Sequence, residues 1–520
     1  MFYNKINIYN IMGENMQTKT TLSSKYIYEF YKELEACGVE NHGFMVIKDG
    51  ETLFEEYSYP YSADMPHTLF SVTKSIVSTA AGFAIDEGLL SLDTKIADIF
   101  PEYEKCESNQ WDELTLRSVL TMQSNKEFTF LQDMTGNYVE MFMKAPFRKE
   151  KGFLYSNNDA HMVAAAVQKV SGMNLIDYLM PRLFEPLGID RPFWETNEIG
   201  ECIGGTGCYL KLRDLMKIML CYLQGGKYNG QQIIPEFWTE QATKIQVEFR
   251  NNEGYGYLFW INGDICSMTG MFSQIIAFSR KQNAVIGSMN CGIDETAHTQ
   301  ILQKTFMKMF NATPDEKYDL LLKEYLQNRG EKVRKCEALP EIPEGKKFYI
   351  SSFSDIVARS VFPQSVIPRT LTCSFAKRPK HNLNEVSFKV DGSALQIKWK
   401  EEEDNITIKC GLDGEPRVSE CEIKGYPYKI WAYAYNDGDK LKVVIRPLNT
   451  LSTQYLTCEF KGNSVKMQFK NAPDFVEFIV KNAISPDFIK NNKFIKTVVE
   501  FFIGGAIKFL ERPMTFKPQK

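Results

Sequence analysis

Two periodicities share this 520-residue chain, and they change over at a stretch rich in proline and charge, Ala338-Leu339-Pro340-Glu341-Ile342-Pro343-Glu344-Gly345. Before it, apolar residues recur at helical spacing in 114–123, 158–171, 174–184 and 211–223, and short β-branched or aromatic runs at 255–261, 274–279 and 284–290 read as strands. After it comes alternation, as in Val386-Ser387-Phe388-Lys389-Val390 and Leu395-Gln396-Ile397-Lys398-Trp399, punctuated by Asp391-Gly392, Asp413-Gly414 and Asp437-Gly438. Such pairs tolerate the positive φ of a hairpin turn. The switch predicts a mixed α/β unit (α+β, strands at both ends and helices between) followed by an antiparallel β domain. The expected boundaries are a leader at 1–24, a first domain at 25–335, a linker at 336–345 and a β-rich domain at 346–520 ending in a helix.

Two local patterns sharpen the first domain. Met45-Val46-Ile47 and Thr52-Leu53-Phe54 flank Lys48-Asp49-Gly50-Glu51 and predict an early hairpin. From Ser75 to Leu90 small and apolar residues fall at mixed spacings of one, three and four, which suits a helix buried on most sides.

Composition excludes several classes. Lys and Arg total 61 against 65 Asp and Glu, a net charge of −4, so no global positive field exists to hold phosphates and nucleic acid is not an expected partner. The 44% apolar and 24% charged content is that of an ordinary folded chain. Twelve cysteines without a CxxC pair, and no apolar signal core between Met1 and Met16, lead us to expect reduced thiols and a cytoplasmic protein. Residues 494–510 are apolar but interrupted by Lys496, Glu500 and Lys508. That falls short of the ~20 residues of a span, so a docked helix and no transmembrane segment are expected.

Missing motifs narrow the chemistry. Five histidines (His42, His67, His161, His298, His381) without HxH or HxxxH spacing make a zinc site improbable, and no cofactor is expected. There is no GxSxG elbow, and Gly204-Gly205-Thr206-Gly207 lacks the Lys and Ser/Thr of a phosphate loop. What remains is Ser71-Val72-Thr73-Lys74 at the head of the buried helix. A spacing of three brings hydroxyl and ammonium to one helix face, about 5–6 Å apart at Cβ. A desolvated lysine there can activate a serine without histidine.

Around this pair, Leu69-Phe70-Ser71-Val72-Thr73-Lys74-Ser75 with Asp86-Glu87-Gly88-Leu89-Leu90-Ser91-Leu92-Asp93 resembles the nucleophile region of the serine β-lactamase and penicillin-binding-protein superfamily, in its class C-like branch of esterases, D-aminopeptidases and 6-aminohexanoate-dimer hydrolases. Similar strings follow in order, at 114–122, Tyr155-Ser156-Asn157, 183–189, Gly204–Gly207 and Arg213-Asp214-Leu215, so the likeness covers about residues 25 to 310. It implies a β-lactamase-like transpeptidase fold, an antiparallel sheet flanked by helices, with Ser71, Lys74 and Tyr155 catalytic. Tyr155 would shuttle protons, since neighbouring cations lower a phenol's pKa, and Asn157 would bond Lys74 and the substrate. The third motif of the family is matched by Met268-Thr269-Gly270-Met271, with Thr269, Gly270 and Met271 binding substrate and the N–H groups of Ser71 and Met271 forming an oxyanion hole. Met268 stands where the family has a cation, which implies that carboxylate recognition is lost.

The expected function is a serine hydrolase cleaving a small ester or amide through a Ser71 acyl-enzyme, esterase or peptidase ahead of true β-lactamase. The alternative is a catalytically weakened relative that binds a ligand in the same cleft. A third reading, a protein-interaction module in the β domain, rests on Trp399, Tyr426, Tyr428, Trp431, Tyr433 and Tyr435, which we expect to be barrel core.

Overall fold

The computed structural model describes residues 22–127, 137–197, 199–250, 252–293, 295–310, 313, 315–351, 383–401, 404–423, 425–473 and 512–518. Residues 1–21 of the expected leader at 1–24 and the expected helix at 494–510 lie outside these residues, while Ser23 and Ser24 open the first helix. The chain forms two compact units that divide between Arg329 and Gly330.

The first unit is built on an antiparallel sheet of β1 Glu40–Lys48, β2 Glu51–Tyr57, β3 Val247–Arg250, β4 Glu253–Tyr255, β5 Trp260–Asn262, β6 Ile265–Gly270, β7 Gln274–Ser279 and β8 Ala284–Cys291, in the order β2-β1-β8-β7-β6-β5-β4-β3. The hairpin of β1 and β2 closes on Asp49 (φ 53°) and Gly50 (φ 83°), the two positive angles that match the twist of a two-residue turn. The principal helices are α1 Ser24–Ala36, α2 Thr73–Asp86, α3 Asn157–Ser171, α4 Leu212–Leu223, α5 Glu295–Phe306 and α6 Glu316–Asn328. They cover both faces of the sheet. Met45 and Ile47 of β1 pack into the core with α2, α3 and α4, while the alternate residues Phe44 and Val46 join α1 and α5 on the other side. Helix α2 has no polar face, and every residue from Thr73 to Ala84 is buried.

Two readings of local structure are corrected. The 255–261 run is not one strand but the inner ends of β4 and β5, because Leu258 adopts φ 63° and its N–H turns to Leu120 O at 3.1 Å. The 114–123 helix shortens to Leu116–Leu120, since Met122 takes φ 57° and leaves the helix.

The second unit is antiparallel. Strands β9 Lys347–Ile350, β10 Leu383–Asp391, β11 Ala394–Glu401, β12 Asp404–Gly411, β13 Arg417–Ile423, β14 Tyr426–Asp437, β15 Lys440–Pro447, β16 Thr453–Lys461, β17 Ser464–Ala472 and β18 Met514–Pro518 run in the order β12-β11-β10-β9-β18-β17-β16-β15-β14-β13. A single parallel bridge of β12 to β14, Gly411 beside Tyr433, curls this otherwise antiparallel sheet towards a barrel. Residues 336–345, expected as a linker, bond to this unit through Cys336 N–H to Leu412 O at 2.9 Å and Gly345 N–H to Phe388 O at 3.1 Å. Of the six aromatic residues expected in the core, Trp399 and Tyr428 enter it and Tyr426 packs against it. Trp431, Tyr433 and Tyr435 sit at the alternate positions of β14, Trp431 edge-on to Tyr433 at 5.4 Å and Tyr433 stacked on Tyr435 at 6.0 Å.

Candidate active site

Residues Phe70–Val72 make one tight turn before α2 begins at Thr73, which sets Ser71 at the helix entrance and carries Lys74 into the interior. Lys74 is 1% exposed. Its Nζ donates to Ser71 Oγ at 2.8 Å, Asn157 Oδ1 at 2.7 Å and Gly205 O at 2.6 Å, so three donors meet three oxygens and none of those oxygens belongs to a carboxylate. The Tyr155 ring centroid lies 4.8 Å from the same nitrogen. The sequence-predicted Ser71, Lys74, Tyr155 and Asn157 are therefore brought together.

Asn157 is placed by the start of α3, whose cap Ser156 accepts the Asp159 N–H at 3.2 Å. Gly205 is placed by close approach, because a Cβ there would lie 2.8 Å from Asn157 Cβ. A side chain at 205 would push the carbonyl off Lys74. The third motif arrives from β6. A Cβ on Gly270 would lie 2.3 Å from Leu69 O and 3.3 Å from Ser71 N, so the strand end runs directly past the nucleophile turn. Met271 opens the following turn, and Thr269 and Met271 are partly exposed. Phe70 (φ 48°) and Phe272 (φ 60°) hold left-handed conformations on either side of that approach, with rings 5.3 Å apart. Non-glycine residues take such angles where the surroundings impose them, and they concentrate at working sites.

Met268 lies in the interior. It is 1% exposed and belongs to the apolar core beneath the sheet, because alternation along β6 turns it inward where Thr269 stays partly exposed.

Asp159 was not singled out from the sequence. Buried completely, it accepts Ser124 Oγ–H at 2.7 Å and Ser124 N–H at 3.3 Å, and burial pushes its carboxyl up to about 7. It ties the loop after Leu120 to the Tyr155 segment, where Leu154 N–H also reaches Met122 O at 3.0 Å. The signal was present as Ser156-x-x-Asp159, the spacing of a helix capping box, with the carboxyl also accepting from Ser124. Gly205 falls within the Gly204–Gly207 string, but its carbonyl's task is legible only in three dimensions. Among the described residues no three His, Cys, Asp or Glu side chains cluster as a metal site requires. The His42 and His67 rings meet at 2.9 Å elsewhere in the unit, where burial holds His67 at about 3 and hence neutral. No helix among the described residues is long and apolar enough to cross a membrane.

The fold and this serine–lysine–tyrosine arrangement define a class, and the chain matches the family model described as Beta-lactamase over residues 31–321, more than half its length. The protein belongs to the β-lactamase family, a family of serine hydrolases, with its β-lactamase and penicillin-binding-protein fold. It is 24% identical over 224 residues to the 6-aminohexanoate-dimer hydrolase of Paenarthrobacter ureafaciens, covering 38% of this chain and 56% of that protein. To the lovastatin esterase of Penicillium rubens it is 28% identical over 185 residues, covering 29% of this chain and 46% of the esterase. The chain thus spans about half the length of the curated relatives it matches. An octameric penicillin-binding protein homologue from Pyrococcus abyssi overlays with a TM-score of 0.44 and 16% identity, covering 86% of this chain and 98% of that one.

Proposed function

We propose that this protein is a serine hydrolase that cleaves an ester or amide through an acyl-enzyme on Ser71. The observation that carries the reading is the buried Lys74 ammonium held 2.8 Å from Ser71 Oγ and spanned by the Tyr155 ring. Because Nζ donates to Oγ, the Ser71 hydroxyl proton is available to a second group, and an ammonium beside a phenol favours the phenolate that can take it. Ser71 Oγ bonds to the carbonyl carbon, Tyr155 passes the proton to the leaving oxygen or nitrogen as its bond breaks, and water later releases the acid by the reverse proton path. The N–H groups of Ser71 and Met271 face the developing oxyanion, a role for which side-chain identity is irrelevant. Thr269 and Gly270 flank the substrate. The names of the two curated relatives, one a dimer hydrolase and one an esterase, agree with either bond type.

Incubation with a fluorophosphonate, followed by peptide mass spectrometry, tests the assignment. Label on Ser71 and hydrolysis of p-nitrophenyl esters are expected, both abolished in Ser71→Ala with little change in unfolding temperature. A wild-type protein that binds the esters reversibly without labelling or turnover would leave the ligand-binding reading in its place.

A further inference from the structure

The Tyr155 ring is the inner end of a larger aromatic surface. It stacks on Trp260 at 5.5 Å with the planes 25° apart. Trp260 in turn lies 6.1 Å from Phe153 and 6.2 Å from Phe249, and Phe153 and Phe249 meet edge to face at 4.6 Å. Buried Tyr255 backs the group, 4.9 Å from Trp260 and 5.2 Å from Phe153. These rings are not all core. Tyr155 is 37% exposed, Phe249 42% and neighbouring Leu154 47%, a contiguous apolar surface that begins at the proposed proton donor. The backbone is shaped to make it. The pairing of β3 with β4 slips between Glu248 and Arg250, so Phe249 is the extra residue of a bulge, a device that re-aims a side chain. Two ion pairs stand at its edges, Arg250 with Glu253 at 3.7 Å and Lys151 with Glu113 at 2.6 Å.

We propose that this ring surface binds the leaving group, and that the leaving group it takes is an uncharged aryl or arylmethyl alcohol. The inference rests on the acyl-enzyme reading above, because the group that hands a proton to the leaving atom must lie beside it. The surface that runs outward from Tyr155 therefore borders the departing side of the substrate, away from the oxyanion donors at Ser71 and Met271. Flat rings offer offset-stacked or edge contacts to another flat ring.

The test uses the full chain and esters whose alcohols have similar acidity. With 2-naphthylmethyl acetate against 2-methoxyethyl acetate, kcat/KM should favour the aryl ester by about tenfold or more. Trp260→Ala and Phe249→Ala should each reduce that ratio, and moving the naphthyl group to the acyl side (methoxyethyl naphthylacetate) should bring no such preference. A ratio near one in the wild type, a ratio unmoved by both variants, or a preference that follows the acyl side overturns the proposal. Equilibrium binding of 2-naphthylmethyl acetate to Ser71→Ala, read by calorimetry, separates the two readings. Binding that weakens about tenfold on adding Trp260→Ala keeps the ring site even where wild-type turnover is missing and the acyl-enzyme reading falls. No binding together with no turnover removes both.

Discussion

Lys74 and Lys126 are both interior amines of the first unit, at 1% and 2% exposure, and each donates to a backbone carbonyl beside an aromatic ring, yet their other neighbours differ. Lys74 points at a serine hydroxyl, an amide oxygen and a backbone carbonyl, with a partly exposed phenol over it. Lys126 sits between the rings of Trp111 at 3.7 Å and Phe147 at 3.8 Å, donating to Ala145 O at 2.8 Å and Cys106 Sγ at 3.5 Å. Burial pushes the Lys126 amine down to about 8. Burial alone, then, does not set what a lysine's ammonium can act on. At Lys126 the cation faces aromatic quadrupoles, a favourable arrangement that leads nowhere chemically. At Lys74 it faces a hydroxyl with an open side.

The same substitution at both positions gives the largest contrast. Lys74→Met should lower ester turnover by on the order of 10⁴ or more, with Lys74→Met/Ser71→Ala losing scarcely more than either change alone, since nucleophile and ammonium act as a unit. Lys126→Met should leave turnover near wild type and change stability by less than about 1.5 kcal/mol, because a thioether of similar volume refills the aromatic cage. Steady-state kinetics beside urea unfolding reads both, and equal activity losses at the two sites would erase the distinction.

A smaller effect probes what faces each amine. Tyr155→Phe removes one hydroxyl and should reduce kcat by about 10²–10⁴. The counterpart, Cys106→Ala, removes a polar neighbour of Lys126 and should leave kcat in place. Turnover unaffected by Tyr155→Phe would transfer the proton to Lys74 alone.

The smallest effect is on stability against pH. Lys126 titrates at about 8 in the folded protein against the ordinary 10.5. Between those values the unfolded chain binds the extra proton, so this group makes the protein more stable as pH rises from about 8 to about 10.5, and weighs against folding below that window. Urea midpoints of wild type and Lys126→Met at pH 7.5 and pH 10 should converge at the higher pH. A gap that stays the same at both pH values would mean that the amine keeps its ordinary proton affinity in its cage.

Much of this was legible in the chain because it depends on spacing along one element. The Asp49-Gly50 hairpin, the all-buried α2 and the Ser71–Lys74 pairing each follow from local φ preferences or helix periodicity, and the Tyr155-Ser156-Asn157 motif sits where its cap residues predict a helix start. What was not legible shares a cause. Met268 had a place in a motif but no face until β6 had a register, and Leu258 interrupts an ideal strand pattern because a distant carbonyl, Leu120 O, takes its N–H.

By itself, then, the sequence determined the period of each element, the change from mixed to alternating texture, and which residue types could do chemistry. Tertiary structure alone decided which atoms meet. The Gly205 carbonyl on Lys74 lies 131 residues away along the chain, the Asp159 carboxyl holds Ser124 across 35, and the bulge at Phe249 adds a ring to a surface started at Phe153. Local preference acts over a few bonds, whereas desolvation and close packing act between whatever the fold brings together.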